Sequence, residues 1–328
     1  MLVLTEAEIR ELLDLDVLVE AVAGAMADAS AGRVSMPSRI AALVPERNGL
    51  LAAMPAYLPS AGALTVKLVS LFPQNASIGI PTHQAVIVAF DPETGTPLAI
   101  MDGTYITATR TAAGSALATR LLARPEAAVL AVLGTGVQAR THARAIPRVR
   151  KLREIRIAGR NAAAVERLAQ ELRGELGFEV RACKSYAEAL DGADIVAATS
   201  HAVEPVVRRE WLAPGTHVNS VGFNHEGREV DGATVRDALV VVETRASALA
   251  PYPSGANDLL WAIRDGLIGA DHVHAELGEL VSGVRPGRTS RDQITLYKSV
   301  GVAVQDAAAA ALVLRAAKAR VAGREIAL

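Results

Sequence analysis

The stretch "VLAVLGTGVQARTHA" places Gly134, Gly136 and Ala139 in the order G-x-G-x-x-A, directly after an apolar run and directly before a helical pattern. That arrangement suits a pyrophosphate. Gly134 can make the tight turn, Gly136 can let backbone approach the phosphates, and the helix start offers N–H donors to them. The next apolar run ends "IRIAGRN", with Arg160 and Asn161 where an acidic side chain would bond an adenosine ribose 2′-hydroxyl. Arginine there accommodates a 2′-phosphate instead. The sequence therefore predicts a dinucleotide cofactor, NADP(H) preferred and NAD(H) possible.

Basic residues in otherwise apolar or turn-rich stretches form a second set: Arg39 in "SMPSRI", Lys67 in "LTVKLVS" and Arg110 in "TATRTAAGSA". A cation in a β-like apolar run is costly to bury unless something anionic meets it. Lys67, flanked by Val66, Leu68 and Val69, is the clearest case; the competing reading is an edge-strand lysine that protects the sheet from further pairing. A third set is the turn "VGFNHEGREVD", residues 221–231, which crowds Asn224, His225, Glu226, Arg228, Glu229 and Asp231 together. Apart from Asn224 these read as a solvated turn leading to the next helix, with Glu226 the foremost exception. No metal site is expected. The seven histidines include one close pair, His272 and His274 in "ADHVHAELGEL", which reads as a solvated helix face, and Cys183 is the only cysteine.

Elements must position these groups. Thr5 and Glu8 have the spacing of a capping box ahead of one helix that stops near Gly32. From Pro37 to Ile100 the signal changes to β-like runs, "ALTVKLVSLF", "HQAVIVAF" and "PLAIMD", with "PETGTP" at 92–97 as a hairpin turn. "TYITATRTAAGSALATRLLA" reads as a helix leading out of that sheet. From "AAVLAVLG" to "ALVVVET" strands and helices alternate, the pattern of a parallel, doubly wound α/β sheet. "ITLYKSVGVAVQDAAAAALVLRAAKARV" closes the chain as a strand or loop entering a long helix that resembles the first domain in composition.

A chain of 328 residues is long enough for two domains. Lys and Arg total 34 against 35 Asp and Glu, so no net field is available to hold nucleic acid or an anionic membrane, and a small-molecule partner is expected. Acidic residues stand where a signal peptide would be basic, and no apolar run reaches the length of a membrane span. With a single cysteine, these features predict a soluble, unprocessed, cytoplasmic protein.

The run from "VKLVSLFPQNASIGIPTHQAVIVAFDPETGTPLAIMDGTYITATRTAAGSALATRLLAR" through "LGTGVQA" to "YKSVGVAVQDAAAA" resembles the ornithine cyclodeaminase/mu-crystallin family over nearly the whole chain. The resemblance implies a Rossmann domain at 118–292, an α/β substrate and dimerisation domain from 1–117 and 293–328, a homodimer, and a site in the cleft between the domains. It implies that Arg39, Lys67 and Arg110 hold the α-carboxylate of an imino or amino acid and that Thr82 lines the site near the nicotinamide. It gives cofactor contacts to Val137, Gln138, Arg160, Thr199, Val221, Gly222 and Ser299, with Arg110 close to both ligands.

Members of the family share hydride transfer at a carbon bearing nitrogen and a carboxylate. The chain is therefore expected to be an NAD(P)H-dependent ketimine reductase or amino-acid dehydrogenase. Alternatives are a lyase that forms proline from ornithine with release of ammonia, and a non-catalytic NADP-binding protein. Hydride attack is easier on a protonated imine, and Lys67 is the candidate acid, with His83 or water as alternatives. The cyclodeaminases carry an Asp in the 221–231 turn where this chain matches Asn224, and an amide cannot serve as a base near neutral pH.

Overall fold

Thr5 and Glu8 do form the capping box their spacing predicts, with Thr5 N–H donating to Glu8 Oε2 at 2.8 Å and Glu8 N–H to Thr5 Oγ1 at 3.4 Å. The helix they begin is short. Asp14 caps a second one by accepting from Val17 N–H at 2.9 Å, so the run read as a single helix is two, Glu6–Leu12 and Leu15–Ser30.

In the computed structural model, which describes residues 1–327, the chain divides into two compact units. One comprises Met1–Arg110 and the chain from Gly301 onward; the other is Thr111–Val300. The sequence places these divisions at 117/118 and 292/293. The first division falls inside the continuous helix Gly103–Leu122, where no break in the pattern could mark it.

The first unit holds β1 (Leu2–Leu4), β2 (Ile40–Val44), β3 (Gly49–Leu58), β4 (Ala63–Leu71), β5 (His83–Phe90) and β6 (Pro97–Asp102), in the sheet order β1-β6-β5-β4-β3-β2. "PETGTP" is the expected hairpin turn: Asp91 Oδ1 accepts from Glu93 and Thr94 N–H, and Gly95 takes a φ of 71°. Burial alternates along the strands as a half-covered sheet requires. Leu50, Ala52, Met54, Ala56 and Leu58 of β3, and Ala63, Thr65, Lys67 and Val69 of β4, point inward. Lys67 pairs with Met54 on one side and Ile87 on the other. It therefore sits on an interior strand, and the edge-strand reading falls.

The second unit holds β7 (Val129–Leu133), β8 (Glu154–Ala158), β9 (Glu179–Ala182), β10 (Ile195–Ala198), β11 (His217–Ser220), β12 (Leu239–Val242), β13 (Val273–Glu276) and β14 (Thr295–Lys298). They form one parallel sheet in the order β13-β12-β14-β11-β10-β7-β8-β9. In β7, Val129, Ala131 and Leu133 join one core cluster while Leu130 and Val132 join another. Both faces are covered, which is why its strands read as unbroken apolar runs. The strand order turns back between β7 and β10, the switch point at which such sheets bind ligands. His274 lies on β13 and His272 in the turn before it, so the helix face expected there is a strand. β14 slots between β11 and β12. The chain then returns to the first unit as the helix Ala303–Arg320, which packs on the inward face of β3 and β4, and ends in β15 (Arg324–Glu325) beside β1. Among the described residues no helix is long and apolar enough to cross a membrane.

Candidate active site

Lys67 points from the middle of β4 into the covered side of its sheet, with 2% of its surface exposed. Its Nζ meets Asp306 Oδ2 at 2.8 Å, while Arg110 Nε donates to Asp306 Oδ1 at 2.8 Å. Arg110 Nη1 also donates to Gln305 Oε1 at 3.0 Å, and Arg39 Nη2 donates to the Gly301 carbonyl at 2.7 Å. The returning segment Gly301–Asp306 thus gathers Arg39, Lys67 and Arg110. Gly301 has a φ of 72°, and a Cβ there would lie 2.8 Å from Arg110 Nη1, so a side chain is excluded on both counts.

Burial and neighbouring charges shift the titration of this cluster. Burial pulls the Lys67 pKa down to about 7; Asp306 opposes that, and the charges of Arg110 and Arg39 add to it. Burial acts to raise the Asp306 pKa, yet Arg110 and Lys67 hold it below the usual carboxylate value. His83 lies on the same inward side at the start of β5. Burial, then Lys67 and Arg110, depress its pKa to about 4, leaving a neutral imidazole near neutral pH. A lysine that titrates near 7 can donate or accept a proton there, and the surplus of cations over Asp306 suits an anionic ligand. Thr82 stands just before β5, its carbonyl accepting from Phe72 N–H at 2.8 Å.

In the second unit the glycine turn follows β7 and opens the helix Val137–Ala145. Gly134 adopts a φ of 133°, and a Cβ there would stand 2.7 Å from Thr199 Oγ1. Gly136 faces open space, with nothing within 4 Å of where its Cβ would be. It is the N-cap residue and makes no side-chain cap, so the N–H groups of Val137, Gln138 and Ala139 have no partner within the helix. Ala139 is fully buried, as close packing of helix on sheet requires. These features fit a dinucleotide: an open glycine, uncapped donors and a positive helix end.

Arg160 follows β8 and is exposed, whereas Asn161 caps the helix Ala162–Leu176 by accepting from Ala164 N–H at 3.0 Å. Thr199 Oγ1 donates to the Leu133 carbonyl at 3.0 Å, tying the end of β10 to the glycine turn. Val221 and Gly222 follow β11. Ser299 Oγ donates to the buried Glu243. Among the described residues no group of three His, Cys, Asp or Glu side chains could hold a metal ion.

Residues 1–320 match the ornithine cyclodeaminase/mu-crystallin family. The chain belongs to that family. The mouse ketimine reductase mu-crystallin is 40% identical to it over 283 residues, 86% of this chain and 85% of that protein. The structure of Thermococcus litoralis Delta(1)-pyrroline-2-carboxylate reductase with NADH and L-proline matches at a TM-score of 0.96 and 38% identity, covering 99% of this chain and 100% of that one. An archaeal alanine dehydrogenase dimer with bound NAD matches at 0.92 and 32%, covering 100% and 99%.

Within this member of the ornithine cyclodeaminase/mu-crystallin family, the 221–231 turn differs from its solvated reading. His225 and Glu226 are exposed, and Asp231 caps the helix Gly232–Asp237, but Glu229 is buried and fully engaged. Asn224 spends its amide locally: Nδ2 donates to the His201 carbonyl at 3.0 Å and Oδ1 accepts from Glu226 N–H at 2.9 Å. Sequence reasoning missed Asp306, Gln305 and Gly301. A signal existed in "VGVAVQDAAAA", where one acid precedes an alanine run, the same anomaly that singled out Lys67.

Proposed function

We propose that this chain is an NAD(P)H-dependent reductase of α-imino acids, acting in reverse as an amino-acid dehydrogenase. The observation that carries the reading is the buried Lys67–Asp306–Arg110 cluster, in a chain whose other unit has a dinucleotide-binding turn. Arg110 and Arg39 take the substrate carboxylate, Arg110 with a guanidinium already oriented through its Nε. Lys67 gives its proton to the imine nitrogen and takes it back in the reverse direction. When bound, the cofactor supplies the hydride. Its pyrophosphate is held by the uncapped start of the helix Val137–Ala145, and Thr199, Val221, Gly222 and Ser299 complete its contacts. Relatives named as ketimine and pyrroline-2-carboxylate reductases support this assignment.

Arg160, with no acid at the end of β8, supports a preference for NADP(H). The outward face of the first sheet supports a homodimer. It presents Leu51 at 49%, Leu68 at 40% and Val86 at 41% exposure, with Val66 and Val88 in register beside them, an apolar surface of the kind that marks protein interfaces.

Beyond the proton that Lys67 can take, the lyase reading requires a second base to free and hold the amine for ring closure, and Asn224 cannot be one. The deciding experiment follows absorbance at 340 nm with NADPH and NADH against pyrroline-2-carboxylate, piperideine-2-carboxylate, and 2-oxo acids with ammonia or methylamine. Oxidation of NADPH by the cyclic imines is expected. Ammonia and proline from ornithine with catalytic NAD(P), and no net oxidation in the screen, would replace this reading with the lyase.

A further inference from the structure

Three charged side chains that the proposed chemistry does not use lie buried together in the second unit: Glu229, Asp258 and Lys298. Glu229 Oε1 accepts from Ser200 N–H at 2.6 Å and Ser200 Oγ at 2.9 Å; Oε2 accepts from Ser220 Oγ at 2.8 Å and Gly222 N–H at 2.9 Å. Lys298 Nζ donates to Ser220 Oγ at 3.0 Å and to the Gly222 carbonyl at 2.8 Å, and pairs with Asp258 Oδ2 at 2.8 Å. Asp258 Oδ1 closes the network by accepting from the N–H groups of Glu229 and Val230, each at 2.8 Å.

The network therefore grips both polar groups of the Gly222 backbone and ties them to Ser200. Gly222 is a glycine for this reason, since a Cβ would lie 2.2 Å from the Ser200 carbonyl oxygen and 2.6 Å from Glu229 Cδ. Burying three charges is expensive, and apolar residues of similar volume would often stabilise a core as well. What apolar residues cannot do is hold specified backbone atoms in place. Ser200 and Gly222 follow β10 and β11, at the carboxyl ends where parallel sheets bind ligands. Arg160 follows β8 in the other half of the sheet, which leaves the β10, β11 and β14 half for the nicotinamide nucleotide.

We infer that Glu229, held by Lys298 and Asp258, is a positioning residue that fixes the 199–200 and 221–222 backbone against which the nicotinamide half of the dinucleotide rests. This deepens the dinucleotide reading and depends on it. In Glu229→Gln one carboxylate oxygen becomes an NH2 group, which a serine hydroxyl can turn to accept but which a backbone N–H cannot, so the hydrogen bond from Ser200 N–H or Gly222 N–H fails and the charge is lost without a change of volume.

The test compares wild type and Glu229→Gln by NADPH fluorescence titration, by titration with an adenosine-half fragment (2′,5′-ADP or ADP), by steady-state kinetics and by thermal melting. Fragment affinity is expected to stay within about twofold, while NADPH affinity and kcat each fall about tenfold or more, the scale of a lost charge-assisted hydrogen bond. Parallel loss of fragment and NADPH affinity, or wild-type values for NADPH affinity and kcat, would overturn the inference. Should the variant not fold, Ser220→Ala removes one donor to the carboxylate and one acceptor of Lys298, and is expected to show the same selective pattern at about two- to threefold or more; no selective loss there overturns it as well. A wild-type protein that binds neither NADPH nor fragment rejects the dinucleotide reading itself.

Discussion

In the proposed reaction, Lys67 owes its role to opposed influences at one ammonium. Burial lowers its pKa, Asp306 raises it, and Arg110 and Arg39 lower it again, with about 7 as the outcome. A donor must be protonated, so the reductive rate should fall as pH rises through about 7. Asp306→Asn removes the influence that raises the pKa, and the alkaline limb of kcat/KM should move to lower pH. A limb that stays in place in the variant would show that another group donates. The same depression acts on stability. The unfolded chain, with lysine near 10.5, binds the proton that the folded chain has released, so the Lys67 contribution is fully present only above about 10.5 and is lost as pH falls through about 7. Replacing Arg110 or Lys67 by Ala should lower kcat/KM for the imine at least about tenfold, the loss of one charge-assisted contact of ~1.5–3 kcal/mol. NADPH affinity should change far less, and a kinetic series with parallel fluorescence titration checks this. Lys67→Ala should lose more in kcat, having also lost its proton.

At the scale of elements, the turn after β7 offers a dinucleotide its backbone alone. The conformation of Gly134, the open space at Gly136 and the uncapped helix start are properties of contiguous residues, which made the site readable from its spacing. In the proposed function, cofactor choice rests on the end of β8. Arg160→Asp should reverse the order of NADPH and NADH affinity, because a carboxylate repels a 2′-phosphate and accepts a hydrogen bond from a 2′-hydroxyl. Equal wild-type constants for the two cofactors would remove the argument. Asn161, by contrast, serves first as a helix cap. The helix Ala303–Arg320 shows the limit of reading elements one at a time: its pattern announces a helix, but not that its first turn supplies the carboxylate between Lys67 and Arg110.

For the whole molecule, the first sheet is packed on one face and apolar on the other. For the proposed homodimer, Leu68→Asp, at the centre of that outward face and paired with Ala53 and Val86, should give a monomer in sedimentation experiments with little loss of secondary structure by circular dichroism. A charge there costs little against solvent and a great deal inside an apolar interface. An unchanged sedimentation coefficient would place the interface elsewhere.

Whatever depends on neighbours along the chain was legible in the sequence: the dinucleotide turn, the doubly wound alternation, the hairpin at 92–97 and the suspicion attached to Lys67. Local pattern misjudged two features: the break at Asp14, because apolar spacing continues across it, and the strand that carries His274, read as a helix face. Tertiary structure alone decided the rest. Whether Lys67 is at an edge or inside depends on which strands flank β4. Its partner Asp306 is supplied by the far end of the chain. Glu229 looked solvated beside His225, Glu226 and Arg228, and is buried because Ser200, Ser220 and Gly222 offer it four donors. Apolar periodicity records which face of an element is covered, whereas a buried charge is decided by partners that folding brings from elsewhere, and no local pattern encodes them.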